Sequence, residues 1–164
     1  MGAGKIFCIL GGIITLLATF LFSFGTFNIA PDVYVYGLAF IMNIGAFFTS
    51  GEPLLIVFAV VWIIFLLAGV FILIGIKSRA LAIIGSVLAI VAGIYFVLSI
   101  YYVIPLEAGQ FTFMFADYAL VSNIIPLHVG LGGSIIGDVS IGTYLLIGGG
   151  VLGFIGGIMG PDGF

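Results

Sequence analysis

The chain has 164 residues, of which 64% are hydrophobic and only 5% are charged, and its formal net charge is −3. Soluble domains are typically about half apolar and about a quarter charged. Composition therefore excludes a water-soluble fold and predicts an integral membrane protein surrounded by the lipid bilayer. With only three lysines and arginines in total, the chain gives no reason to expect a nucleic-acid partner.

Four apolar segments have about the 20 residues that an α-helix needs to cross the hydrocarbon core of a bilayer. Their bounds are 6–27, 53–76, 80–104 and 141–159. The predicted fold is therefore an all-α integral membrane protein in which residues 1–164 form one domain, a bundle of four transmembrane helices. Outer loops are predicted at 28–52 and 105–140.

The first outer loop is rich in apolar residues, although loops normally lie in water. Its run "VYVY" at 33–36 alternates in the way that a strand does. An alternative is that 33–48 crosses the membrane. At about 16 residues that run is short for a crossing, and a crossing there would move the next basic residues, Lys77 and Arg79, to the outer side.

The link at 77–79 carries Lys77 and Arg79, and the third basic residue of the chain is Lys5. Basic residues of short loops stay on the cytoplasmic side of a membrane. Four crossings place all three on that side, with both termini cytoplasmic, and predict a multi-pass protein of the cell membrane. Five of the six acidic residues then fall in the outer loops: Asp32, Glu52, Glu107, Asp117 and Asp138.

The second outer loop also contains long apolar runs. Alternation in "FTFMF" fits a strand with Phe111, Phe113 and Phe115 on one side. The two loops are therefore expected to pair or pack together as a small outer cap. A short interfacial helix is an equal alternative for this cap. The run 111–130 is long enough to cross the membrane, but it contains Asp117, Pro126 and His128, so a re-entrant or interfacial element is expected there instead.

Polar residues of the second loop are the only candidates for chemistry. Asp117, His128 and Asp138 could converge to bind a metal or relay protons, although a loop histidine without such a role is the simpler interpretation. One histidine and one cysteine, Cys8, exclude a disulfide, a zinc cluster and a bis-histidine haem built from this chain alone. We expect no cofactor and no catalytic site.

The fourth predicted helix is the most specific part of the sequence. Gly149, Gly153 and Gly157 recur every four residues, and Gly156 and Gly160 form a second overlapping pair. Because lipid supplies no hydrophobic drive between helices, close approach through small residues in this GxxxG arrangement holds them together. The pattern predicts close packing of this helix, either within the chain or against a partner.

Two outer loops, a short inner link and both termini on one side resemble the topology of claudin-type and tetraspanin-type four-helix proteins. The residues that mark claudins, a Trp with Gly-Leu-Trp and paired cysteines, are absent from 28–52, and the Cys-Cys-Gly of tetraspanins is absent from 105–140. The resemblance is one of topology alone, and it implies outer strands and a role in membrane organisation.

The predicted spans carry no acidic or basic side chain at mid-depth, which argues against an ion-coupled carrier. We expect a non-catalytic structural or accessory subunit that packs through glycine-rich helices and apolar outer loops against other membrane subunits or copies of itself. Such a subunit could belong to a membrane enzyme. The alternatives are a self-associating membrane organiser and a small-molecule or lipid carrier.

Overall fold

The structure, a computed structural model, describes residues 2–28, 32–101, 110–117, 126–133 and 137–160. Over these residues the chain is mostly helical, and it also forms a five-stranded sheet. The predicted all-α fold is therefore confirmed in part: the chain is mostly helical, and the outer cap, for which strands were one of two alternatives, contains a five-stranded sheet.

Among the described residues, three helices are long and apolar enough to cross a membrane. They are α1 (Ala3–Leu21), α5 (Arg79–Ile100) and α6 (Ile141–Met159). The bounds of α6 match the predicted fourth span. The predicted third span, 80–104, agrees with α5 as far as Ile100, and residues 102–109 lie outside the described part of the chain.

The predicted first span, 6–27, is too long. α1 ends at Leu21, and Ser23–Phe27 forms strand β1 instead. The β1 sequence, SFGTF, consists of residues with weaker helix propensity than leucine or alanine. Its backbone groups pair with strands on both sides, so the sheet satisfies them without a helix.

The predicted second span, 53–76, is two helices, α3 (Pro53–Leu66) and α4 (Ala68–Ile74), with a bend of 41° between them. On α4, a Cβ added to Gly69 would lie 2.7 Å from Leu16 Cγ, so α4 packs very closely on α1. α3 instead packs through the large rings of Trp62 and Phe65. The small residue Gly69 lets α4 lie close to its neighbours, whereas the large rings keep α3 further away. The span therefore bends at the junction of α3 and α4.

The helix core consists of α1, α4, α5 and α6. α6 packs against both α1 and α5, and α4 packs against the same two helices. α1 and α6 are antiparallel, since Gly4 at the start of α1 lies beside Gly156 and Gly160 at the end of α6. We call the end with the sheet the sheet end, and the end with the link at 77–79 the basic end.

The sheet contains β1 and four further strands in the order β3-β2-β1-β5-β4, with every neighbouring pair antiparallel. The further strands are β2 (Val33–Tyr36), β3 (Ala116–Asp117), β4 (Gly130–Gly133) and β5 (Gly137–Ser140). β2 confirms the strand predicted at "VYVY". Strands from both outer loops take part, so the expected pairing of the loops is also confirmed.

The strand predicted at "FTFMF" is wrong. Gln110–Phe115 forms a 3-10 helix, and only Ala116–Asp117 joins the sheet. Thr112, Met114 and Phe115 are all buried, so the expected arrangement with one buried face and one open face is not found. Residues 118–125 lie outside the described residues, so the re-entrant and interfacial alternatives for 111–130 stay predictions there.

α2 (Gly37–Thr49) occupies most of 33–48, the run that is the alternative candidate for a membrane crossing. Its 13 residues correspond to a helix about 20 Å long, too short to cross the hydrocarbon core. The helix begins at the sheet end, because Gly37 lies directly against the carbonyl of Thr19 near the end of α1.

Aromatic rings join the sheet to the helices. Phe24 of β1 stacks on Phe96 of α5 with ring centroids 4.5 Å apart, and Phe115 meets Trp62 edge to face at 4.7 Å. Phe65 contacts all four of these rings. This ring cluster connects the sheet and the 3-10 helix to α3 and α5.

Candidate functional site

Two of the predicted packing glycines bring α6 onto α1. A Cβ added to Gly149 would lie 2.5 Å from Thr15 Oγ1, and one added to Gly156 would lie 2.7 Å from Cys8 Sγ. Side chains other than glycine have no space at these positions. The two helices are therefore in backbone contact, as small-residue packing requires.

The opposite side of α6 faces α4 and α5. A Cβ added to Gly153 would lie 2.6 Å from both Ile72 Cγ2 and Ser86 Oγ, and one added to Gly157 would lie 2.9 Å from Ile83 Cγ1. The predicted row of three glycines thus contacts three helices of the same chain, α1, α4 and α5.

A matching row of small residues on α1 was missed by the sequence interpretation. Gly4, Cys8, Gly11 and Thr15 lie three or four positions apart, and all four are buried. Gly11 sits between Gly149 and Gly153, since its added Cβ would lie 2.5 Å from Gly153 N and 2.6 Å from Gly149 O. The same spacing rule that identified the α6 glycines predicts this row, provided that cysteine and threonine are counted as small.

The three basic residues lie at one end of the molecule. Arg79 Nη2 donates to the carbonyl oxygen of Met159 at 3.1 Å, and the guanidinium lies directly on Gly160, which has a φ of +76°. A cation is favourable at a helix C-terminus, where carbonyl groups have no partner in the helix. Lys77 follows α4 in the same link as Arg79, and Lys5 lies in the first turn of α1, directly after Gly4, which contacts Gly160. The acidic Asp162 lies outside the described residues.

At the sheet end, a hydrogen bond holds His128 beside the first residue of β1. Its Nδ1 lies 2.7 Å from Ser23 Oγ, and its ring meets the ring of Tyr34 at 5.5 Å. The backbone beside it is also fixed, because the Leu127 N–H donates to Leu21 O at 2.8 Å. No sequence signal identifies Ser23, which is 105 residues away from its partner.

The structure separates the three residues of the predicted polar loop site. Asp138 lies near His128, since a Cβ added to Gly130 would be 3.5 Å from His128 Nε2 and 3.7 Å from Asp138 Oδ2. Asp117 instead accepts a hydrogen bond from the Tyr36 hydroxyl. Burial first, and then the charge and hydrogen bond of Asp117, raise the pKa of Tyr36 to about 12.

These polar groups could in principle form a metal site or a serine–histidine nucleophile. Among the described residues, no three His, Cys, Asp or Glu side chains lie close enough together to hold a metal ion. Ser23 and His128 have the contact of a nucleophile and its base, but Ser23 is 0% exposed, so a substrate cannot reach its hydroxyl. We therefore interpret this hydrogen bond as a structural tie between the predicted second loop and the start of β1.

We expect the tie to weaken in acid. Burial lowers the pKa of His128 from its usual 6.5, although the charges of Asp138 and Asp32 oppose this effect. The unfolded chain then binds the proton more tightly than the folded chain does, so folding stability is complete above pH 6.5 and falls as the pH drops below it. The melting temperature in detergent, measured between about pH 7 and pH 5, should therefore decrease.

His128→Asn is the control, because its side-chain amide cannot be protonated in this range and can still hydrogen bond to Ser23. The variant should lose the part of the pH dependence that belongs to His128. An identical pH dependence in both proteins would assign the effect to other groups.

Comparison of the chain with protein-family models, with curated proteins and with solved structures finds no match. Function is therefore inferred from the geometry of this chain alone. The main features of the structure are the close glycine contacts of α6 with α1 on one side and with α4 and α5 on the other, the basic end, the hydrogen bond of His128 at the sheet end, and the apolar helices α2 and α3.

Proposed function

We propose that this chain is a non-catalytic protein of the cell membrane that crosses the bilayer four times, with both termini cytoplasmic. The crossings are α1, the bent pair α3 and α4, α5, and α6. α1, α5 and α6 are each long and apolar enough to cross a bilayer, and α3 and α4 reach that length together. Collection of Lys5, Lys77 and Arg79 at one end supports the orientation, because basic residues stay on the cytoplasmic side.

Within this topology the chain acts as a structural or accessory subunit, and the exposed face of α2 is its contact surface. Ile41, Met42 and Phe48 on this face are 42%, 60% and 43% exposed. A helix at a membrane surface normally presents charged residues to water. α2 has no charged residue and is too short to cross the bilayer, so its exposed face needs an apolar cover.

The centre of this face suits a second helix. Gly45 and Ala46 are exposed, and a Cβ added to Gly45 would have no atom within 4 Å. Small residues flanked by large apolar ones allow two helices to approach closely in lipid. The glycines of α6 that were predicted to pack, Gly149, Gly153, Gly156 and Gly157, contact helices of the same chain. The subunit role therefore rests on α2 and not on these glycines.

The same face could meet another copy of the chain, which corresponds to the alternative of a self-associating membrane organiser. The outer sheet, built from both loops, is the observation that favours this alternative. A lipid-binding or carrier role has separate support in a groove between α3 and α5, which is described below.

A photo-cross-linking amino acid at Met42 tests the contact in native membranes. We expect a discrete protein adduct on irradiation. An adduct of twice the mass of the chain indicates self-association, whereas another mass indicates a different subunit, which peptide sequencing then identifies.

Ile84 of α5 is the matched control, since it is apolar and 50% exposed but lies on a helix whose two glycines, Gly85 and Gly93, are both buried. It should give lipid adducts without a discrete protein product. If Met42 also gives lipid adducts alone, α2 is covered by lipid and the subunit proposal is wrong.

A further inference from the structure

A groove lies between α3 and α5 on the outside of the helix core. Phe58, Trp62 and Phe65 line it on α3, and Leu88, Ala92 and Tyr95 line it on α5, with a cavity volume of about 220 Å³. The bend between α3 and α4 creates this space, because it moves α3 away from α5 while α4 stays packed on the helix core.

The groove is closed at the sheet end and open at the side. Thr112 Oγ1 donates to the Tyr95 hydroxyl at 3.3 Å and so links the 3-10 helix to the edge of the groove. At the side, Val61 and Val91 also line the cavity and are 47% and 59% exposed. In a chain that crosses the bilayer with α3 and α5, this mouth opens directly into the hydrocarbon core.

The lining determines what kind of molecule can occupy the groove. No polar atom of the lining residues is accessible from the cavity, so a charged or hydrogen-bonding group inside it would lose its hydration without gaining a partner. An apolar group that moves from lipid into the groove loses no hydration and no hydrogen bond. The lining therefore suits a hydrocarbon.

Volume decides between a protein helix and a single chain. An α-helix is about 10 Å across, and two turns of it would fill roughly 800 Å³, several times the space available. An apolar cavity of about 150 Å³ is large enough for benzene. The groove thus has the size for part of one hydrocarbon chain and is too small for a partner helix.

We propose that the groove between α3 and α5 binds an acyl chain of a bilayer phospholipid. Acyl chains are the apolar species that surround the mouth at highest concentration, and a bound chain restores the dispersion contacts that an empty groove lacks. This inference rests on the proposed membrane crossing of α3 and α5 but not on the subunit role, so a failed cross-link at Met42 would leave it intact.

Trp62 provides the measurement, because it is the only tryptophan of the chain, lines the groove and is only 7% exposed. The full chain is placed in phosphatidylcholine vesicles whose acyl chains carry bromine at mid-length, and in matched vesicles without bromine. Bromine quenches indole fluorescence on contact. We expect strong quenching in the brominated vesicles, since a chain in the groove reaches Trp62 despite its burial.

Variants distinguish a chain in the groove from lipid that merely surrounds the protein. Ala92→Phe fills the groove, and Val91→Phe narrows its exposed mouth without crowding the core, so the second variant still decides if the first fails to fold. Quenching should be largely lost in both. Ile94→Phe, on an exposed position of α5 that does not line the groove, should leave it unchanged. Equal quenching in the wild type, Val91→Phe and Ile94→Phe would overturn the proposal.

Discussion

Replacing Gly153 with leucine is expected to cost the chain a large part of its folding stability. The added Cβ alone would lie 2.6 Å from Ile72 Cγ2 and Ser86 Oγ, and on the other side the backbone of Gly11 touches Gly153. Overpacking typically costs about 1–3 kcal/mol. We expect at least the upper part of this range, since relief requires α6 to separate from helices on two sides.

Gly148→Leu is a matched control on the same helix. A Cβ added to Gly148 would have no atom within 4 Å, so leucine there meets no neighbour and should gain up to about 1 kcal/mol from its higher helix propensity. Reversible unfolding in mixed micelles, or melting in mild detergent, measures both variants. Equal stability of the two would show that the glycine contacts of α6 contribute nothing to folding.

The helices were predictable where composition and glycine spacing agree. Ile141–Met159 was located to the residue, because an apolar run of suitable length lies between a polar segment and a glycine that ends the helix. Small residues at intervals of four also predicted close packing of α6. The sequence could not identify its neighbours, since nothing in a GxxxG pattern distinguishes a helix of the same chain from a partner.

The sheet was harder to predict because its strands depend on contacts distant in sequence. Ser23–Phe27 continues an apolar run and looks helical until its pairing with Val33–Tyr36 and Gly137–Ser140 is known. The hydrogen bond between Ser23 and His128 is equally non-local. Local pattern alone also predicted a strand at "FTFMF", which lies in the 3-10 helix Gln110–Phe115 and whose Phe115 packs against Trp62, a residue distant in sequence.

Bending of the second span likewise follows from tertiary packing. The sequence from Pro53 to Ile74 is apolar throughout, and neither a proline nor a polar residue marks the bend at Leu67. Its cause is the change from ring contacts at Trp62 and Phe65 to the close contact of Gly69 with Leu16. Only knowledge of the neighbouring helices reveals that change.

The four-span topology, with the sheet end outside and the basic end in the cytoplasm, is tested most directly by labelling of single cysteines in intact cells. Ser50→Cys lies between α2 and α3 at the sheet end, and Ser78→Cys lies in the link of the basic end; both are made with Cys8→Ala, which removes the native thiol. A membrane-impermeant maleimide should label Ser50→Cys in intact cells and Ser78→Cys only after the cells are opened. Labelling of Ser78→Cys in intact cells, or failure to label Ser50→Cys there, would contradict the topology.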